Sequence, residues 1–339
     1  MKNKAPIRKY DITQCALYKC RTKKRLERLL HLEPGDLKTI NSIIKYHKFE
    51  IDKKNSKEKR EITAPDKMLK AIQRRILYLL HRVIRPEWLI SGEKQKCYID
   101  NGRVHLDGKY VLTVDIKKFY DNCMREPVYQ FFIQKLKTAP DVAKKLTDII
   151  TYNGGIPTGC PTSQIMAFYA YFDMFSEISD LAKQYDCKFT LYVDDMTFSS
   201  KEPFSPNQLS QDIDRILRKY GHKPKYRKVK YYGLSDHKPI TGTVVTPKQS
   251  LAVPNGLQNV IYNTFQSLKP LIGTETCSEK DTKQILSLKG QIQAARNIEQ
   301  GKFPEIRRLT NQIRMPGAQS TSNKKRHIHR HNKKIRIKH

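Results

Sequence analysis

Apolar and polar positions alternate strictly through residues 188–199 and surround two adjacent carboxylates. The centre of this run reads Tyr192-Val193-Asp194-Asp195. A period of two on both sides of the acids predicts a β-hairpin with Asp194 and Asp195 at its tip. Asp-Asp also favours a tight turn by itself, so the hairpin alone does not establish a site.

A third carboxylate lies upstream at the end of an apolar run. Residues 110–115 are Tyr-Val-Leu-Thr-Val-Asp, a β-branched segment without a polar break before Asp115. This composition predicts a buried central strand that delivers one side chain to a site. Three acids on two strand ends can together hold two divalent cations.

The remaining periodicities predict helices around these strands. Residues 1–50 are basic and helical in period, 53–60 form a charged loop, and 61–64 resemble a short strand. A long amphipathic helix begins at Pro65. The Lys and Arg residues between its apolar positions form either a binding surface or an ordinary solvated face. Its apolar positions recur at three and four, at Leu69, Ile72, Ile76, Leu79, Leu80 and Val83.

From residue 111 to 245 the pattern is α/β (α+β), with a sheet that carries helices on one face. We expect helices near 126–151, 163–185 and 206–220, with the hairpin between the last two. After Pro254 the chain is helical again, with a core stripe at Ile285, Leu288, Ile292, Ala295 and Ile298.

Composition indicates an anionic partner. Lys and Arg number 65 against 33 Asp and Glu, a formal charge of +32, which suits a phosphate backbone. Acidic membranes or a ribosomal-type binding role remain open on charge alone. The seven Cys are scattered without a C-x-x-C pair, and we find no signal peptide or apolar span. We therefore expect a cytoplasmic protein with no membrane association.

A turn rich in glycine and proline is the second strong signal. Residues 154–164 contain three Gly and two Pro, followed by Thr162 and Ser163 as candidate helix caps. Such a turn lets the backbone come close to a flat ligand, such as a base pair. Residues 324–339 carry eight Lys or Arg and four His without an acid, which predicts a disordered tail in the absence of nucleic acid.

These segments together resemble the polymerase blocks of bacterial reverse transcriptases. The resemblance covers roughly residues 40–300 and includes Asp115 with Phe119-Tyr120, the turn at 155–163 and the Tyr-Val-Asp-Asp tip. The segment at 60–65 is similar to a fingers motif. The Asn101-Gly102-Arg103-Val104-His105 and Ile240-Thr241-Gly242-Thr243 segments are similar to elements that mark retron reverse transcriptases.

The resemblance implies a right-hand polymerase fold with fingers, palm and a helical thumb. We expect a basic N-terminal region and fingers at 1–110, the palm with the catalytic site at 111–250, a fingers insertion at 126–155, a helical thumb at 251–316 and a basic tail at 317–339. Four positions depart from the usual pattern of relatives. Thr158 replaces Gln, Gln164 replaces Pro, Phe168 replaces Asn and Gly102 replaces Ala. Because the usual Gln contacts the incoming nucleotide, Thr158 predicts a change in fidelity or nucleotide preference.

The implied mechanism is nucleotidyl transfer with two Mg²⁺ ions, for which oxygen ligands without Cys or His are suited. The metal ligands are Asp115, Asp194, Asp195 and the carbonyl of Ile116. Arg60, with Lys57 or Lys59, clamps the triphosphate. Tyr120 is the steric gate against a ribose 2′-OH or else a core aromatic, and Lys228 aligns with a lysine that protonates pyrophosphate. The remaining substrate and RNA contacts are expected at Gly155, Thr158, Gly159, Asn101, His105, Thr241 and Gly242.

The retron resemblance also implies partners. It implies a cognate structured noncoding RNA, synthesis primed from the 2′-OH of an internal guanosine, branched multicopy single-stranded DNA as product, dNTP substrates, and an effector protein in defence against phage. Three hypotheses stay open: a retron enzyme, another defence-associated or intron-like reverse transcriptase with different priming, and a non-catalytic RNA-binding protein on the same scaffold. The sequence leaves the oligomeric state open.

Overall fold

The computed structural model describes residues 9–52, 59–274 and 277–313, and of Arg60 it describes the backbone alone. The chain divides into two compact units, residues 1–252 and 253–339. Among the described residues, none of the helices has the length and apolar character needed to cross a membrane.

The strands all lie in the first unit. They are β1 Tyr46–Asp52, β2 Lys59–Pro65, β3 Tyr110–Asp115, β4 Lys188–Tyr192, β5 Asp195–Ser200, β6 Lys230–Tyr232, β7 Lys238–Ile240, β8 Thr243–Val245 and β9 Leu251–Ala252. The helices of the same unit are α1 Lys23–Leu30, α2 Ile40–Ile43, α3 Lys67–His81, α4 Tyr98–Val104, α5 Arg125–Gln130, α6 Pro140–Ile150, α7 Ser163–Ala170, α8 Phe172–Gln184 and α9 Pro206–Lys219. Single 3-10 turns lie at Tyr120–Asn122 and Tyr226–Lys228, and a π-helical turn lies at Phe131–Lys135.

An antiparallel sheet of order β4-β5-β3-β6 forms the centre of the first unit. Leu112 and Val114 of β3 face the main core, which also takes the apolar sides of α1, α3 and α5–α9. Val111 faces the other way and packs with Ile240 and Val245 of the small β7-β8-β9 sheet. The expected helical face is thus present, and a second, smaller sheet covers part of the opposite face.

The predicted elements are largely confirmed. The hairpin, the strand ending at Asp115 and the amphipathic helix α3 all form, and the positions of α3 predicted to be apolar and core-facing are buried, namely Leu69, Ile72, Ile76, Leu79 and Leu80. The helix expected at 163–185 is two helices, α7 and α8, separated at Tyr171. The helical period predicted for 1–50 is confirmed only in part: between residues 9 and 45 the described helices are a 3-10 turn at Ile12–Gln14, α1 and α2. It is wrong at the end of that range, because β1 starts at Tyr46 and pairs along its whole length with β2.

The second unit is helical as predicted. It contains α10 Asn255–Leu268, a 3-10 turn at Lys269–Leu271, α11 Glu279–Ile298 and α12 Pro304–Gln312. Every residue of the predicted stripe on α11 is buried. Ser278 caps α11 by accepting from the Asp281 N–H at 3.1 Å, while the Asp281 carboxylate accepts from the Ser278 N–H. This capping box satisfies two backbone donors at the start of the helix.

Candidate active site

Strand register brings the first two acids together. Asp115 is the last residue of β3 and Asp195 the first of β5, and the two are direct antiparallel partners. β4 returns through Tyr192, which pairs with Asp195. Asp115 and Asp195 are far apart in sequence but adjacent in the sheet, because antiparallel pairing places the end of β3 beside the start of β5.

Asp194 lies in the turn between β4 and β5, on the same side. The Ile116 N–H donates to the Asp194 carbonyl at 3.2 Å, which ties the segment after β3 to the turn. The Asp115 carbonyl accepts from the Lys225 N–H at 2.7 Å, and this bond brings the segment before β6 to the same place. Three chain segments thus meet at one end of the central sheet.

The electrostatics at this end show crowded carboxylates. Burial raises the pKa of Asp195 to about 7, and repulsion from Asp194 and Asp115 adds to the rise. The Lys228 ammonium donates to Asp115 Oδ2 at 2.5 Å. This hydrogen bond, with the attraction of all three carboxylates, raises the pKa of Lys228. Lys228 therefore lies at the acids, and its role in protonating pyrophosphate stays a prediction.

The donor set fits divalent cations. The repulsion that raises the pKa of Asp195 is the kind that a bound cation relieves. Carboxylate oxygens are the ligands that Mg²⁺ prefers. In the described part of the chain, no three His, Cys, Asp or Glu side chains are already arranged around a metal position.

The glycine-rich turn lies against the β1–β2 hairpin. The Gly159 N–H donates to the Thr63 carbonyl at 3.0 Å, and a Cβ on Gly159 would lie 2.5 Å from that oxygen. Gly155 is similarly close to the Cys123 carbonyl, 3.1 Å from the position of a Cβ. Thr158 is partly exposed, and its hydroxyl donates to the Glu61 carbonyl at 3.4 Å. These glycines are needed for close approach to the protein's own backbone, and the predicted approach to a base pair stays a prediction.

Of the other predicted substrate contacts, the structure describes Tyr120 but neither Lys57 nor the side chain of Arg60. Tyr120 is partly buried, starts the 3-10 turn after Asp115 and packs on Phe119 with ring centroids 5.5 Å apart. Lys57 and the side chain of Arg60 lie outside the described residues. The steric gate and the triphosphate clamp therefore stay predictions.

The two short elements similar to retron motifs contact each other. Asn101 on α4 donates through Nδ2 to Thr241 Oγ1 at 2.9 Å. Gly242, in the turn between β7 and β8, lies against the ring of Tyr98. Asn101 and His105 are fully buried, whereas Thr241 is partly exposed and Gly242 exposed. RNA contact by these four residues remains an untested prediction, and in this conformation neither Asn101 nor His105 is accessible to RNA.

The surroundings of Gly102 explain why this position carries glycine in place of alanine. A Cβ at this position would lie 2.3 Å from Thr243 Oγ1 and 3.0 Å from Leu251 Cδ2. The Thr243 hydroxyl therefore occupies the space that an alanine methyl would need. Sequence reasoning noted Gly102 but had no signal for this contact, because the two residues are 141 positions apart.

Two buried histidines lie near the site; the sequence predicted His105 only as an RNA contact and gave no signal for His222. His105 Nδ1 lies 2.6 Å from Ser199 Oγ, and its Nε2 lies 2.7 Å from Thr190 Oγ1. It therefore connects both strands of the hairpin. His222 packs edge-on against Tyr171 at 4.4 Å between ring centroids, and burial lowers its pKa to about 4.

Comparison with known proteins identifies the class. The family model described as reverse transcriptase (RNA-dependent DNA polymerase) matches residues 51–250. The chain belongs to the reverse transcriptase family, and the right-hand polymerase fold predicted from the sequence is confirmed.

The similar curated proteins belong to one branch of that family, the retron reverse transcriptases. The chain is 26% identical over 172 residues to the retron Se72 reverse transcriptase of Salmonella heidelberg (strain 579083-10), covering 50% of this chain and 45% of that protein. It is 26% identical over 230 residues to the retron Ec48 reverse transcriptase of Escherichia coli, covering 63% and 56%. The chain thus spans about half the length of these relatives. The predicted resemblance to retron reverse transcriptases is confirmed.

Among solved structures, the chain resembles apo telomerase from Candida tropicalis truncated from its C-terminal domain. The TM-score is 0.47 with 13% identity, over 63% of this chain and 55% of that chain. A likeness at this level adds nothing to the functional assignment.

Proposed function

We propose that this protein is an RNA-directed DNA polymerase of the retron type. The observation that carries the proposal is the meeting of Asp115, Asp194 and Asp195 at one end of the central sheet, within a chain of the reverse transcriptase family. Similarity to two retron reverse transcriptases supports the retron assignment. The intact acids favour a catalytic protein over a non-catalytic RNA-binding scaffold.

The three carboxylates and the Ile116 carbonyl would hold two Mg²⁺ ions. When bound, such ions lower the pKa of the attacking hydroxyl and neutralise charge on the leaving pyrophosphate. Lys228 lies at the acids and is protonated at neutral pH, so it is placed to give a proton to the leaving group. Its contact with Asp115 must break for the carboxylate to bind a cation.

The nucleotide pocket is bounded by the glycine-rich turn and Tyr120. Gly159 fixes the turn to β2, so the exposed backbone of the turn has a defined position against the base pair. Tyr120 would exclude a ribose 2′-OH by its bulk, and Arg60 with Lys57 would clamp the triphosphate. The Thr158 side chain is shorter than the usual Gln, so its contact with the nucleotide is reduced.

The retron activity requires a partner RNA. We infer that a structured noncoding RNA encoded beside the protein binds the basic surfaces of both units, and that the enzyme copies part of it into branched single-stranded DNA. The charge of +32 suits this partner. A role in defence against phage, with an effector protein, follows from the same resemblance.

The polymerase proposal is tested with the full chain, an RNA template, an annealed DNA primer, dNTPs and Mg²⁺. We expect wild-type protein to extend the primer and Asp194→Asn to abolish extension, because the substitution removes one carboxylate charge. The exposed Asp236→Asn, which lies away from the three acids in sequence and sheet, is the matched control. Extension by Asp194→Asn at the wild-type rate would refute the site.

The retron proposal is tested separately by the product's 5′ junction. The protein is co-expressed with the noncoding RNA transcribed beside its gene, and the 5′ junction of the isolated DNA product is analysed with and without debranching enzyme. A 2′,5′-linked guanosine supports retron priming. A product that starts from a protein or from an ordinary 3′ end would assign the chain to another group of reverse transcriptases.

A further inference from the structure

The turn that carries Asp194 contains a β-branched residue in a backbone region that favours glycine. Val193 has a φ of 61° and is the first of the two residues between β4 and β5. A branched side chain at positive φ is strained, and at this hairpin position glycine is normal when φ is positive. Such strain persists only where surrounding contacts hold it. The turn beside the acids therefore requires an anchor.

Ser91 is that anchor. The Val193 N–H donates to Ser91 Oγ at 2.8 Å, and Ser91 is 5% exposed. Ser91 follows an irregular segment that is joined to β4 by an isolated bridge between Leu89 and Leu191. The Leu191 N–H donates to the Trp88 carbonyl at 2.8 Å, and the Ile90 N–H donates to the Leu191 carbonyl at 3.0 Å. Two backbone hydrogen bonds thus fix the segment before Ser91, so its hydroxyl has a defined position relative to the turn.

The space behind the turn makes the anchor necessary. Ser91, Gly92, Leu191 and Val193 line a cavity of about 130 Å³. Without the hydrogen bond to Ser91, the strained residue has room to relax toward this cavity. The Ile116 N–H would still hold the Asp194 carbonyl, but on the opposite side of the turn.

We propose that Ser91 is a positioning residue for catalysis. Its hydroxyl holds Val193 in the left-handed conformation and thereby fixes the direction in which the neighbouring Asp194 presents its carboxylate. Ser91 itself touches neither substrate nor cation. This role rests on the proposed polymerase function, because it assigns Ser91 to the geometry of the same acids.

The test compares two buried serines whose hydroxyls each accept one backbone hydrogen bond near opposite ends of β5. Ser91→Ala removes the acceptor at the turn. Ser200→Ala removes an equivalent acceptor at the far end of β5, where Ser200 is 6% exposed and its Oγ accepts from the Glu202 N–H at 3.1 Å. We expect Ser91→Ala to lower kcat about tenfold without changing KM for dNTP. Ser200→Ala should change kcat by less than about twofold.

Two further variants test the physical cause. Ser91→Thr keeps the hydroxyl, and its methyl group has room in the cavity, so it should retain most of the wild-type kcat. In a Val193→Gly background, Ser91→Ala should lower kcat less than it does in the wild-type background, because glycine adopts positive φ without strain. An equal effect in both backgrounds would overturn the strain account.

A measurement without catalysis completes the test. Hydrogen–deuterium exchange at the Val193 amide should be faster in Ser91→Ala than in wild type and unchanged in Ser200→Ala, in the absence of metal and nucleotide. The proposal is overturned if exchange is unchanged, or if active wild type and Ser91→Ala have equal kcat. A wild-type protein that incorporates no dNTP would instead overturn the proposed polymerase function.

Discussion

Acidification from pH 7 to pH 5 should destabilise the first unit through His105. Its ring lies within hydrogen-bond distance of both Ser199 and Thr190, and its side chain is fully buried. Burial lowers the pKa of His105 to about 3, with a smaller contribution from the nearby Lys188 charge. The folded protein therefore keeps this ring neutral at pH 5, whereas a histidine in the unfolded chain titrates near 6.5.

The sign follows from proton linkage. Because the folded pKa is below the unfolded one, the unfolded state binds the proton first as the pH falls, and the free energy of unfolding decreases. The contribution of His105 is complete above about pH 6.5 and is lost progressively toward about pH 3. Between pH 7 and pH 5 the loss in unfolding free energy is about 2 kcal/mol, because the histidine of the unfolded chain becomes protonated in this interval while the folded one stays neutral.

Urea unfolding followed by circular dichroism at pH 7, 6 and 5 measures this loss. His105→Gln keeps hydrogen-bonding capacity without a titrating ring, so its stability should fall by about 2 kcal/mol less than that of wild type over the same interval. The exposed His237→Gln is the control, and its curve should run parallel to wild type. A His105→Gln curve that also runs parallel to wild type would refute the account of a neutral, buried ring.

Two further substitutions test packing near the site by calorimetry. Gly102→Ala should lower the melting temperature, because the added methyl meets the Thr243 hydroxyl and overpacking costs about 1–3 kcal/mol. Gly256→Ala, which has open space around the methyl, is its control, and an unchanged Gly102→Ala would contradict the clash. His222→Phe should raise the melting temperature, because it removes two buried ring nitrogens without a hydrogen-bond partner among the described residues; destabilisation would show that the ring is satisfied.

Local periodicity was enough to predict the elements that bear the acids. The strand ending at Asp115 and the hairpin around Asp194 are specified by side-chain patterns that need no long-range information. β1 was missed for a physical reason. Six of its seven residues are exposed, so no buried face imposes a period of two, and the strand exists through its pairing with β2.

Contacts between distant residues could not be read from the sequence. The joining of Asn101 to Thr241, and the space that Thr243 takes from Gly102, depend on how the small β7-β8-β9 sheet packs beside α4. The role of Ser91 was equally hidden, since a single serine in an irregular segment carries no pattern. The sequence thus predicted acids that the structure brings together, and the structure was needed to find the contacts around them.

The packing of α4 changes how mutations in the retron-like elements must be interpreted. Asn101 joins α4 to the turn at Thr241, and His105 at the end of the same helix contacts both strands of the hairpin that carries Asp194. Substitution of His105 therefore removes contacts to that hairpin, and substitution of Asn101 removes the link between α4 and the β7–β8 turn, even where no RNA is bound. Loss of polymerisation in such variants is not evidence for RNA contact. Only RNA binding measured directly on folded variants, with the exposed Gly242 compared against buried Asn101, separates recognition from positioning.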